Sequence, residues 1–107
     1  MNKELDKQYD ARPLPVVALL DARDIDGAKA YIKELASLAN RYEIHDITAY
    51  MAINYIRREL IDRDMIDVMQ PEWGHAERKI NAVHNEQQFR IRSQFWGNKT
   101  ENPYEKA

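Results

Sequence analysis

Asp24-Ile25-Asp26-Gly27-Ala28-Lys29-Ala30-Tyr31-Ile32-Lys33-Glu34-Leu35-Ala36-Ser37-Leu38-Ala39-Asn40-Arg41-Tyr42 is the stretch that decides the fold. Within it Ala28, Tyr31, Ile32, Leu35, Leu38, Ala39 and Tyr42 recur at three- and four-residue spacing and draw one apolar stripe along a helix. Lys29, Lys33, Glu34 and Arg41 fall off that stripe. Asp24 or Asp26 can cap the helix start, because a carboxylate oxygen there accepts from otherwise unpaired N–H groups of the first turn. The segment predicts an amphipathic helix ending near Tyr42.

Downstream, a short turn at residues 43–45 leads to Asp46, a second cap candidate. From there Ile47, Tyr50, Met51, Ile53, Ile56, Leu60 and Ile61 carry another helical pattern, expected to run to Met69 with a kink or break near residues 62–64, where Pro71 ends it or starts the next element. Two helices joined by so short a turn predict an antiparallel hairpin. Trp73-Gly74 reads as a joint. Residues 75–96 then read as a long, mostly polar terminal helix, with Ile80, Val83, Gln87, Ile91 and Phe95 on a narrow seam that calls for a partner helix. The alternation of Phe89, Ile91, Ser93 and Phe95 leaves a strand open over residues 89–96.

Upstream, the apolar segment 16–22 fits a short helix or a strand, and the shortage of strand partners favours helix. Arg12-Pro13-Leu14-Pro15 is expected to be extended, because the residue before a proline is pushed out of the α region. Residues 1–12 and 98–107 are polar and are expected to be loosely ordered. Only three glycines and four prolines punctuate the chain, which argues against a fold of many turns. The expectation is a single all-α domain spanning residues 1–107, a small bundle of about four helices.

Composition narrows the function classes. The chain has 107 residues, 44% apolar and 32% charged, which suits one globular domain. The longest uncharged apolar run, Leu14 to Leu20, is far too short to span a membrane. Without cysteine there is no disulfide framework and no thiolate chemistry. The net charge is −2, with none of the basic excess that marks a nucleic-acid surface. The charged start, Met1 to Asp10, lacks the apolar core of a secretory signal, so a cytoplasmic location is expected.

Several side-chain groupings invite chemistry. His45-Asp46 is a His-Asp dyad of the kind that binds a divalent metal in HD-type phosphohydrolases, yet no histidine precedes it to complete such a site. Asp46 reads better as a helix cap and His45 as a turn residue. Glu72-Trp73-Gly74-His75 has the Glu-x-x-His spacing of di-iron bundles, but those need two such motifs and two further carboxylates. Glu59, Asp62, Asp64 and Asp67 could hold magnesium. A solvated face neutralised by Arg57, Arg58 and Arg63 accounts for them more simply. No phosphate-binding glycine loop or nucleophile elbow is present. No metal, no cofactor and no enzymatic activity are therefore expected.

Residues 38–53, Leu38-Ala39-Asn40-Arg41-Tyr42-Glu43-Ile44-His45-Asp46-Ile47-Thr48-Ala49-Tyr50-Met51-Ala52-Ile53, resemble the helix-turn-helix spacing, with Ile44, Thr48 and Ala49 in its aliphatic, threonine and small apolar slots. Glu43 stands where that pattern has a turn glycine. The resemblance implies a DNA-binding regulator using residues 38–58, with Thr48, Arg57 and Arg58 as contacts. The chemistry opposes it: Asp46 opens the second helix and would face phosphate with a like charge. The remaining candidate surface is Phe89, Arg90, Arg92 and Trp96, since aromatic and arginine side chains dominate protein interfaces. The leading expectation is a non-enzymatic protein-binding module, an inhibitor or adaptor of the phage or plasmid accessory type. It would act by occupying a surface of another protein, with a homodimer through the terminal helix as the structural alternative.

Overall fold

The computed structural model describes residues 3–95, with side chains through Gln94. Five helices follow one another: α1 (Lys3–Asp10), α2 (Val16–Asp21), α3 (Ile25–Asn40), α4 (Asp46–Asp62) and α5 (Glu72–Phe95). There is no strand among the described residues, so segments 16–22 and 89–95 both resolve as helix.

Cross-links between helices give their directions. Lys29 of α3 pairs with Glu72 of α5, and Tyr42 just past α3 donates to Glu86. Residues 13 apart on one chain segment thus meet residues 14 apart on the other, and α3 runs parallel to α5. Asp46 at the start of α4 meets His84, while Arg57 further along meets Glu77, so α4 runs the opposite way. The expected antiparallel pair α3–α4 is present, but both helices pack more extensively on α5 than on each other. The central element is the terminal helix.

The core is apolar and joins all five helices: Tyr9 from α1, Leu20 from α2, Ile32 and Leu35 from α3, Ile53, Ile56 and Leu60 from α4, and Trp73 and Ile80 from α5. No polar or charged residue is buried among those described. Each fully buried large aliphatic side chain stabilises the fold by about 1.5–3 kcal/mol relative to exposure, so three on α4 alone outweigh its modest intrinsic helicity.

Local chemistry explains most helix ends. Asp24 caps α3 as expected, its Oδ1 accepting from Gly27 N–H at 2.9 Å. The helices α2, α3 and α4 end alike, each with a left-handed residue two positions past its last helical one: Arg23 (φ 55°), Tyr42 (φ 58°) and Asp64 (φ 55°). In each case the next residue donates back to a carbonyl five positions earlier: Asp24 to Leu19 at 2.9 Å, Glu43 to Leu38 at 2.9 Å and Met65 to Leu60 at 2.8 Å. These are three Schellman caps made without glycine. The turn after α3 places Tyr42, and not Glu43, in the left-handed position.

Three expectations need correction. Residues 3–10 form a packed helix, with Tyr9 buried against Tyr31 at a 5.4 Å ring separation. The Tyr9 side chain supplies the anchor that a polar segment appeared to lack. Trp73-Gly74 is no joint. Trp73 is buried inside the first turn of α5, and the Gly74 N–H is capped by the Gln70 side chain at 3.1 Å. Finally, the break falls where it was expected but no helix continues to Met69: α4 ends at Asp62, and residues 63–71 are a chain of turns, with Met65 and Met69 buried beneath them.

Candidate functional site

The α4 helix carries two apolar stripes. Ala49, Ala52, Ile53, Ile56 and Leu60 are buried, each at 0% exposure. Ile47, Met51, Asn54, Arg58 and Ile61 follow at intervals of four, three, four and three residues. At 100° per residue this second set lies directly opposite the first. Its apolar members are the exposed large hydrophobics of α4: Ile47 50%, Met51 54% and Ile61 59% exposed. From residue 47 to residue 61 the stripe runs about 21 Å. Its second half borders a surface depression of about 380 Å³ lined by Asn54, Arg57, Arg58, Ile61 and Asp62. Arg58 is exposed, forms no ion pair among the described residues, and sits between Asn54 and Ile61 on this face.

The sequence pattern placed Ile47, Met51 and Ile61 in one helical series with Ile53, Ile56 and Leu60. A helix apolar on two sides shows both stripes in its sequence at once. The two sets follow the same alternation of four- and three-residue steps and differ only in register: Ile47, Met51, Asn54, Arg58 and Ile61 occupy one, and Ala49, Ile53, Ile56 and Leu60 occupy the other, on the opposite side of the helix.

The DNA-contact candidates have other occupations. The Thr48 side chain reaches the Asp6 carboxylate. Arg57 donates from Nε to Glu77 at 2.6 Å and forms a second, shorter contact with the same oxygen. Only Arg58 remains without such a partner; Asn54 and Ile61 lie one turn either way, and the exposed Asp62 shares the same depression.

At the same end of α4, the His-Asp dyad is split between two neighbours. The N–H of His45 donates to Asp6 Oδ1 at 2.9 Å, and its ring Nδ1 lies 2.7 Å from Asp6 Oδ2. Asp46 Oδ2 lies 3.1 Å from His84 Nδ1, and the His84 ring stacks on Tyr50 at 3.8 Å with an interplanar angle of 12°. Asp46 therefore does not cap α4 as expected; His45 is the cap residue, and Asp46 links α4 to α5 instead. Burial pushes the Asp6 carboxyl up, but bonds from the His45 backbone, the His45 ring and Thr48 outweigh it and hold it below its ordinary range.

Of the acidic candidates Glu59 is paired, while Asp62, Asp64 and Asp67 are exposed. Arg63 bridges Glu59 of α4 and Asp21 of α2, the latter at 2.6 Å, and these two carboxylates hold its guanidinium above its usual range. Glu72 and His75 do share a helical turn, contrary to the expected irregularity, yet Glu72 is paired with Lys29 at 3.4 Å. No group of three histidine or acidic side chains among the described residues is placed to hold a metal.

The expected partner surface lies on the distal part of α5. Phe89 is 50% and Ile91 56% exposed, Arg92 is exposed, and Arg90 pairs with Glu86 at 2.7 Å. Trp96 lies outside the described residues, as does the side chain of Phe95. The predicted seam is buried at Ile80 and Val83, half-buried at Gln87 and open at Ile91, so α5 runs off the core after its third turn. No described helix is long and apolar enough to cross a membrane. Comparison with protein-family models, curated proteins and solved structures finds no match for this chain.

Proposed function

We propose that this protein is a non-enzymatic binding module that docks an apolar, carboxylate-bearing helix of a partner protein on the outer face of α4. The observation that supports this reading is the second stripe on α4. Ile47, Met51 and Ile61 lie in line on the solvent side, interrupted by Asn54 and Arg58, and exposed apolar surface among polar residues marks interaction sites. Arg58, between Asn54 and Ile61 on the stripe, asks the partner for a carboxylate, and Met51 adapts to an irregular apolar surface.

The test compares the wild-type chain with Ile47→Ser/Met51→Ser and Arg58→Glu variants. Capture of a near-stoichiometric partner from nuclease-treated lysate is followed by cross-linking through a photoreactive residue at position 61. Both variants are expected to keep wild-type helicity and thermal midpoint while losing the partner. A folded variant that captures the same protein undiminished refutes the α4 face. Capture that disappears with nuclease returns the helix-turn-helix reading, with Thr48, Arg57 and Arg58 as its residues.

The exposure of Ile91 supports a second reading, self-association of the distal part of α5 with a second copy. Light scattering across a concentration series checks it: a dimer abolished by Ile91→Ser supports this reading, and a monomer at all concentrations removes it.

A further inference from the structure

The α3 and α5 helices, lying parallel, leave a groove of about 420 Å³ between them. One wall carries Lys33, Ser37 and Asn40 of α3, and the other carries His75 and Lys79 of α5. Both sets recur at helical spacing, so each wall is a single helix face. The floor is made by Ala36 and Ala76, 4% and 2% exposed, whose small side chains let the backbones approach and leave open space above them. One end is closed by the Lys29–Glu72 ion pair.

The charges in the groove do not cancel. Glu72 is the one acid of the lining, and it is already neutralised: its own backbone N–H, Lys29 and Lys33 together hold its carboxyl below the usual range, against the opposing effect of burial. Lys79 stands on one wall and Lys33, which also feels the Glu72 carboxylate, on the other, neither in an ion pair among the described residues, with His75 one helical turn before Lys79. The Ser37 hydroxyl and the Asn40 amide add neutral donors along the α3 wall.

We infer that this groove is a binding site for a small phosphate-bearing anion, held between the ammonium groups of Lys33 and Lys79 with His75, Ser37 and Asn40 as hydrogen-bond partners. Two facing cations favour a dianion over a monocarboxylate, because each added charge on the ligand gains a second Coulomb partner. The site is open to solvent, so binding is weak and salt-sensitive. It lies on α3 and the start of α5, away from the outer face of α4, and stands or falls independently of the proposed docking surface.

The experiment is a titration of the full, isotopically labelled chain with inorganic phosphate, glycerol phosphate and acetate at constant ionic strength, followed by amide chemical shifts. Saturable shifts confined to residues 33–40 and 72–79 are expected for both phosphates. Replacing both lysines, as Lys33→Gln/Lys79→Gln, is expected to weaken binding about tenfold, since each exposed charge contact contributes up to roughly a factor of five. The Lys3→Gln/Lys7→Gln chain, with the same change in net charge on α1, is expected to bind like wild type. Tighter binding of glycerol phosphate assigns the site to a phosphorylated metabolite, and equal binding assigns it to the free ion. Non-saturating shifts, acetate binding as tight as phosphate, or undiminished binding by the folded Lys33→Gln/Lys79→Gln chain overturns the inference.

Discussion

Replacing Asp6 by alanine tests how the first helix is joined to the rest. Asp6 lies 39 residues before His45, yet its carboxylate takes the His45 N–H at 2.9 Å and meets the His45 ring at 2.7 Å. It also engages the Thr48 side chain. Its side chain is only 16% exposed, so water replaces little of this. A hydrogen bond to a charged group contributes about 1.5–3 kcal/mol, and an anion beside a helix N-terminus about 0.3–1 kcal/mol more. Partial exposure of His45 offsets some of that. A net loss of about 2 kcal/mol is the reasonable expectation, which for a domain of this size lowers the thermal midpoint by roughly 10 °C.

The pH dependence has a definite sign. The folded carboxyl of Asp6 titrates below the unfolded one, so its contribution is present above the unfolded value and is lost as pH falls through the folded one. Thermal unfolding followed by far-ultraviolet circular dichroism should therefore show a gap between wild type and Asp6→Ala that is full at neutral pH. The gap should close in strong acid. Asp10→Ala, an exposed change on the same helix, serves as the control and should leave the midpoint unmoved. If Asp6→Ala melts within about 2 °C of wild type at neutral pH, the link between α1 and α4 is not the anchor described above.

Three further substitutions should stabilise the chain. The Tyr31 hydroxyl is buried without a hydrogen-bond partner, so Tyr31→Phe is expected to raise stability by up to about 1 kcal/mol, read by urea unfolding. Burial, reinforced by Tyr9 and opposed by Arg12, also pushes the Tyr31 hydroxyl well above the usual phenol range. The unfolded chain then loses this proton near pH 10 while the folded chain keeps it, so wild-type stability falls above that pH and part of the fall disappears in Tyr31→Phe. A destabilised Tyr31→Phe would mean the hydroxyl has a partner after all. Glycine at the left-handed positions should also help: Arg23→Gly is expected to gain about 0.5–1 kcal/mol and Asp64→Gly less, because aspartate tolerates that geometry better than arginine. Equal or negative shifts in the urea midpoint for both would contradict the strain assigned to these caps.

Short-range physics settled what neighbouring residues can decide. Helical periodicity is a property of neighbouring residues, so the α3 stripe, the Asp24 cap and the all-helical class could be read directly. The break after α4 was legible too, because its charged residues interrupt the apolar series. The tertiary structure decided what depends on distant contacts. Either stripe of α4 could have been buried in principle; the packing of α5 chose Ile53, Ile56 and Leu60 and left Ile47, Met51 and Ile61 in solvent. The first ten residues read as polar chain until Tyr9 met Tyr31 and Asp6 met His45, pairings that no local pattern encodes. Glycine, the usual marker of a left-handed helix end, is missing from three such ends, because there the surrounding fold imposes on Arg23, Tyr42 and Asp64 a conformation that their own chemistry disfavours. The groove with Lys33 and Lys79 exists only because two helices separated by some thirty residues of sequence lie side by side in parallel.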